Sequence, residues 1–185
     1  MLAYVYWHAA PQNVAAAEYE KMLLRFGHAL ADAKSPGFLG NASYAVGQTP
    51  WLGEPGYEDW VWLEGSWALD PLNERAVSGS MERPHDAIAR MTKHGGYGAL
   101  YYMVAGEHET PKDSRVFWLT RPRGVNWHEI VPEIVKSVHA KVTVWRRLMV
   151  LGPSAEFAVI APAATAALRV PEGWTSIAVD RRRLG

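Results

Sequence analysis

The chain opens on Ala3-Tyr4-Val5-Tyr6-Trp7-His8, a run of β-branched and aromatic residues stopped by Ala9-Ala10-Pro11, which predicts a strand. From Asn13 the period changes. Tyr19, Met22, Leu23, Phe26 and Leu30 recur at three- and four-residue steps, with Glu18, Lys21, Arg25, His28 and Asp32 on the opposite stripe. An amphipathic helix capped by Asn13 is therefore expected, ending near Ser35-Pro36-Gly37. Residues 38–46 and 57–64 read as strands of one hairpin, joined by the Gly- and Pro-rich loop 47–56. Asp70-Pro71 starts a short helix that Gly79 stops, another helix opens near Pro84 and ends at Gly95-Gly96, and 99–105 is again a strand. The order is β-α-β-β-α-β, the split βαβ unit of ferredoxin-like folds.

A polar segment, Glu107 to Asp113, reads as an exposed linker, and the pattern then restarts. Residues 115–119 form a strand, and Asn126 with Glu129 resembles a capping box. Trp127, Ile130, Val131, Ile134, Val135 and Val138 trace one helical face that Pro132 kinks or begins. Residues 142–151 and 156–161 are a strand pair, an Ala-rich stretch runs from 163 to 168, and 175–179 is the last strand. A shift of 111 positions lays Val5 on Val116, Trp7 on Trp118, Pro11 on Pro122, Val14 on Val125, Glu18 on Glu129, His28 on His139 and Ala29 on Ala140. We read two tandem βαββαβ units, 1–106 and 114–185, in an α+β chain. A four-stranded sheet with helices on one face needs cover on the other. In 142–151 both faces are apolar, so the antiparallel sheets are expected to pack as an α/β barrel.

Composition removes several classes of function. The 185 residues carry 19 acidic and 19 basic side chains, which gives no field to hold a polyanion, so no nucleic-acid partner is expected. No stretch approaches the roughly 20 apolar residues of a membrane span, and the N-terminus lacks a signal-peptide pattern, so a cytoplasmic protein with no membrane partner is expected. With no cysteine there is no disulfide, thiolate nucleophile or Cys-ligated metal. Dinucleotide and phosphate loops and a serine nucleophile elbow are also missing, and no metal or cofactor is expected. Nine Trp and eight Tyr suit a tight core, an interface or a flat ligand.

Among individual residues, His8 ends the first strand on the face of Tyr4 and Tyr6, where the second unit carries Leu119. It reads as a general base, a hydrogen-bond donor or an axial ligand, or else as a histidine satisfied at a strand end. In Tyr57-Glu58-Asp59-Trp60-Val61-Trp62-Leu63-Glu64, Glu58, Trp60, Trp62 and Glu64 share one face and Tyr57, Asp59, Val61 and Leu63 the other. Either face offers a carboxylate that burial could turn into a base; alternatively Glu58 and Glu64 sit at solvent-wet strand ends around a Trp core. Trp51 lies in a loop able to cover a ligand or a partner subunit, and Arg146 interrupts an apolar strand, either to pair with a carboxylate or to bind an anion. Arg181-Arg182-Arg183 reads as a solvated tail, and Glu107-His108-Glu109 as part of the exposed linker.

Tyr4-Val5-Tyr6-Trp7-His8, Tyr19-Glu20, Phe26-Gly27-His28 and Pro36-Gly37-Phe38-Leu39, together with the doubled topology, resemble the dimeric α/β-barrel superfamily and a bacterial branch of it with two units per chain. That superfamily includes cofactor-free monooxygenases of the antibiotic-biosynthesis type, EthD-like proteins, muconolactone isomerases and haem-binding chlorite dismutases. The resemblance implies a homodimer and a pocket for a small apolar or aromatic molecule. It implies cofactor-independent oxidation or isomerisation of an aromatic or polyketide-like compound. His8 would be base or donor, Asp59 or Glu64 the second polar group, and Tyr6, Trp51, Trp60, Trp62 and Arg146 the ligand contacts. The alternatives are a non-catalytic binding or interaction module, and haem ligation by His128 or His139.

Overall fold

A computed structural model describes residues 1–93, 95–108, 112–137, 141–149 and 152–185. The strands are β1 (Leu2–His8), β2 (Phe38–Val46), β3 (Gly56–Leu63), β4 (Tyr97–Ala105), β5 (Asp113–Thr120), β6 (Thr143–Arg147), β7 (Phe157–Pro162) and β8 (Thr175–Arg183). The helices are α1 (Ala16–Asp32), α2 (Leu69–Ala76), α3 (Glu82–Met91) and α4 (Trp127–Ser137). All eight strands close into one antiparallel barrel in the order β1-β3-β2-β8-β5-β7-β6-β4. The first four strands stand as β4-β1-β3-β2 and the last four as β8-β5-β7-β6, the same order twice. Two seams join these halves, Tyr44–Val46 of β2 against Arg183–Arg181 of β8 and Tyr101–Ala105 of β4 against Arg147–Val144 of β6. The barrel thus closes within one chain and uses every sheet edge.

Strand alternation divides the residues between two environments. Ala3, Val5, Trp7, Tyr44, Trp60, Trp62, Tyr101, Trp118 and Trp145 point inward and form one aromatic core. Leu2, Leu63, Phe117, Leu119, Phe157 and Val159 point outward beneath the helices. In α1 Tyr19, Leu23, Gly27 and Leu30 are the buried stripe. Its cap differs from expectation: Ala15 occupies that position, because Val14 N–H bonds to the Pro11 carbonyl and the turn delays the helix past Asn13. At α4 Asn126 does cap, accepting from His128 N–H at 3.2 Å while its amide donates to Glu129 at 2.8 Å. Pro132 lies inside this helix. The second half departs from the doubled pattern at 163–174, which holds turns and no helix, its Ala run being flanked by Pro162 before it and by Pro171 and Gly173 after it.

Among the described residues the interior holds one ion pair, and it joins the halves. Glu58 on β3 is 0% exposed and Arg181 on β8 is 3% exposed, with Nη1 donating to Oε1 at 3.1 Å. Trp7 and Trp60 indole N–H groups also donate to Glu58, at 2.8 and 2.5 Å. Arg181 Nε donates to Ser114 Oγ, and its guanidinium lies 4.0 Å over the Tyr44 ring. The solvent-wet reading of Glu58 and the solvated reading of Arg181 are both corrected, because β8 continues through Arg183 and carries Arg181 inward, while Arg182 between them stays exposed.

The mouths of the barrel are covered by loops. Trp51, from the loop after β2, packs at 5.5 Å on Trp7 and 5.2 Å on Trp118 within its own chain. Elsewhere His108 lies 4.6 Å from Trp62 and 6.4 Å from Trp145, so this part of the expected exposed linker folds onto the core. Glu109 lies outside the described residues.

Removing either partner of the interior ion pair strands the other charge. Arg181→Ala is expected to destabilise the protein by about 3–5 kcal/mol, and Glu58→Leu/Arg181→Met by less than the sum of the single changes, read from urea midpoints. Burial holds the His108 imidazole below its ordinary value. The unfolded chain therefore takes up a proton there first as pH falls, so this residue's contribution is present above pH ~6.5 and lost in acid. The fall in urea midpoint from pH 7.5 to 5 is expected to be smaller in His108→Gln than in the wild type.

Candidate functional site

On the outer face of the barrel β1 presents Tyr4, Tyr6 and His8, and β3 presents Asp59 and Tyr57, with Tyr6 in register with Asp59 and His8 with Tyr57. The rings form a ladder. Tyr4 and Tyr6 stack at 6.4 Å, Tyr6 and His8 at 5.3 Å, and His8 and Tyr57 at 5.7 Å. A ring at each alternate position of a strand recurs about every 6–7 Å, which is why the sequence places them so. Gly96 permits the approach of the next strand, since a Cβ there would lie 2.4 Å from the Tyr6 ring.

His8 is 1% exposed and held at both nitrogens. Nε2 lies 3.0 Å from Asp59 Oδ2 and Nδ1 lies 2.8 Å from the Tyr19 hydroxyl. Tyr19 comes from α1, and its hydroxyl is also 3.3 Å from Thr92 Oγ1, just past α3. With Nε2–H donating to Asp59, neutral His8 accepts at Nδ1 from Tyr19, so one proton chain runs from helix to sheet. Asp59 keeps a second oxygen, Oδ1, without a partner among the described residues, although its side chain is 21% exposed. Burial pushes the Tyr4 and Tyr19 phenols up to about 12, and the Asp59 carboxylate adds to both by repelling a phenolate. Tyr6 is raised for the same two reasons. The site therefore sets a carboxylate with one buried, unpartnered oxygen beside neutral phenol donors.

The sequence-predicted residues do not all meet. His8, Asp59 and Tyr6 come together. Trp60 and Trp62 are interior, so the barrel wall separates them from His8, and Trp51 caps the same interior. Glu64 is exposed, just past the far end of β3, beyond the Leu63 that pairs with Leu2. Arg146 takes the carboxylate-pairing alternative, with Nε donating to Glu156 at 3.1 Å, and it also covers the Trp127 ring at 4.8 Å. His128 is exposed and lies flat on Trp127 at 3.7 Å, which offers iron no enclosed axial position; His139 lies outside the described residues. Among the described residues there is no cluster of three metal-ligating side chains and no helix long and apolar enough to cross a membrane.

Sequence reasoning missed two participants. The periodicity reads Tyr19 as a core position of α1, and nothing local distinguishes a tyrosine whose hydroxyl reaches a histidine 11 residues earlier. Arg181 was masked by its two arginine neighbours; its alternation with Val179 was the available signal.

No protein-family model matches the chain, and no curated protein matches it in sequence. Solved structures share its fold. A candidate monooxygenase from Fusobacterium nucleatum superposes with a TM-score of 0.66 at 9% identity, covering 100% of this chain and 92% of that one. A candidate chlorite dismutase gives 0.63 at 8% identity, covering 100% and 95%. An anthrone oxidase-like protein gives 0.57 at 11% identity, covering 100% and 93%. The chain is an α+β protein built on the same eight-stranded antiparallel barrel as these proteins.

Proposed function

We propose that the protein is an enzyme acting on a small phenolic or enolic compound, with Asp59 as general base and His8 as the hydrogen-bond donor that orients it. The observation that carries this reading is the Asp59–His8–Tyr19 chain, which leaves Asp59 Oδ1 buried and unpartnered among the described residues, on a side chain that is itself 21% exposed. Asp59 removes an acidic C–H or O–H proton from the substrate. The resulting oxyanion accepts a hydrogen bond from the neutral phenol of Tyr6, whose raised pKa keeps its proton in place.

Two outcomes are open to such an anion. Returning the proton to another carbon isomerises the substrate. With dioxygen as co-substrate, an anthrone-type carbanion is oxidised at that carbon to the quinone, one oxygen atom entering the product and the other leaving as water. The names of the barrel's structural neighbours, two candidate monooxygenases and an anthrone oxidase-like protein, support the second outcome. Neither needs a resident cofactor, because the substrate anion itself supplies the electrons. In the alternative of a non-catalytic module, the same three residues only staple α1 to the sheet.

The test is turnover of anthrone and a panel of phenols and enols, followed by oxygen uptake and quinone absorbance. Asp59→Asn is expected to lower kcat about 100-fold or more and His8→Gln about 10-fold, with the folded fraction unchanged. Equal rates in Asp59→Asn and wild type, or no turnover above buffer by a folded wild type, would favour the staple.

A further inference from the structure

Where β4 pairs with β6 the outer face carries a cleft of about 400 Å³ that the Asp59 site does not use. A volume of this size falls in the roughly 300–1,000 Å³ range of small-molecule sites. Tyr102 and Arg146, directly opposite in register, form one wall, and Trp127, His128 and Val131 of α4 form the other. Tyr102 also pairs with Leu2. That is the opposite end of β1 from His8, about 20 Å away along the strand.

The charge at this cleft is unbalanced. Glu156 accepts from Arg146 Nε at 3.1 Å and from Arg121 Nε at 2.8 Å, so one carboxylate serves two guanidinium groups and one positive charge is left over. Arg146 is 32% exposed and remains within reach of a ligand. Its guanidinium carbon lies 4.8 Å over the Trp127 ring, which stacks at 3.7 Å on His128, so cation and aromatic wall are contiguous. Val131 and Leu148 supply an apolar floor, and Tyr102 is 47% exposed. A planar guanidinium beside an aromatic wall suits a ligand with a flat apolar body and a carboxylate at its edge.

We propose that this cleft is a binding site for an aromatic carboxylate, the acid on Arg146 and the ring against Trp127 and Tyr102. The proposal stands independently of the role given to Asp59 and His8. Isothermal titration with 1-naphthoate, benzoate and naphthalene-1-carboxamide tests it on the full chain. One site for 1-naphthoate is expected, with the carboxamide at least 10-fold weaker. Arg146→Gln, which leaves Glu156 its Arg121 partner, and Trp127→Leu are each expected to weaken 1-naphthoate at least 10-fold, whereas Asp59→Asn leaves it unchanged. Should Arg146→Gln not fold, Trp127→Leu and the carboxamide comparison decide. No binding to folded wild type at millimolar ligand, equal affinity for acid and amide, equal affinity in the folded variants, or loss in Asp59→Asn overturns the proposal.

Discussion

The Glu58 carboxylate and the Arg181 guanidinium meet inside a closed barrel whose other inward positions are almost all apolar or aromatic. Desolvating two charges is costly, and their attraction offsets that cost only when the remaining hydrogen-bonding capacity is also used. Here it largely is: Trp7 and Trp60 donate to Glu58, Ser114 accepts from Arg181, and the Tyr44 ring faces the cation. Because Glu58 lies in the first half and Arg181 in the last strand, the pair also sets how the halves meet. A slip of one residue at the β2–β8 seam would turn Arg181 outward and leave Glu58 buried without a cation, so the charge pair opposes such a slip.

Filling the interior this way moves the candidate chemistry elsewhere. Six large aromatic side chains, Trp7, Trp60, Trp118, Trp145, Tyr44 and Tyr101, are each no more than 1% exposed, and Trp51 closes one mouth. The outer face is different, since helices cover it unevenly and leave polar side chains partly open. Asp59 is there with His8, and so is the Arg146 cleft, each beneath a different helix. Strand alternation is the reason neighbouring residues serve such different ends: Glu58 and Asp59 are adjacent in the chain and lie on opposite sides of one barrel wall.

The fold was legible because its signals are local. Period-2 strands, the period-3.6 stripe of α1, the Asn126–Glu129 cap and the repeated element order are read within windows of a few residues. The site was half legible. His8 and Asp59 each stood out as a polar group on an apolar strand, and Tyr6 as the aromatic beside them. Their union with one another, and the exclusion of Trp60 and Trp62 from the same pocket, depended on which faces of which strands point together. The Ala-rich stretch after β7 shows the reverse error, where the expectation of a repeated helix met a segment bounded by Pro162 and Pro171.

The sequence by itself determined which residues share a strand face and where α1 to α4 lie, since covalent spacing and side-chain periodicity act over a few residues. Only the tertiary structure decided which face is interior, that the barrel closes within one chain, and that Glu58 meets Arg181 across 123 residues while His8 meets Asp59 across 51. Those pairings depend on barrel closure and strand register, and a chain segment carries no record of the distant edge with which it will pair.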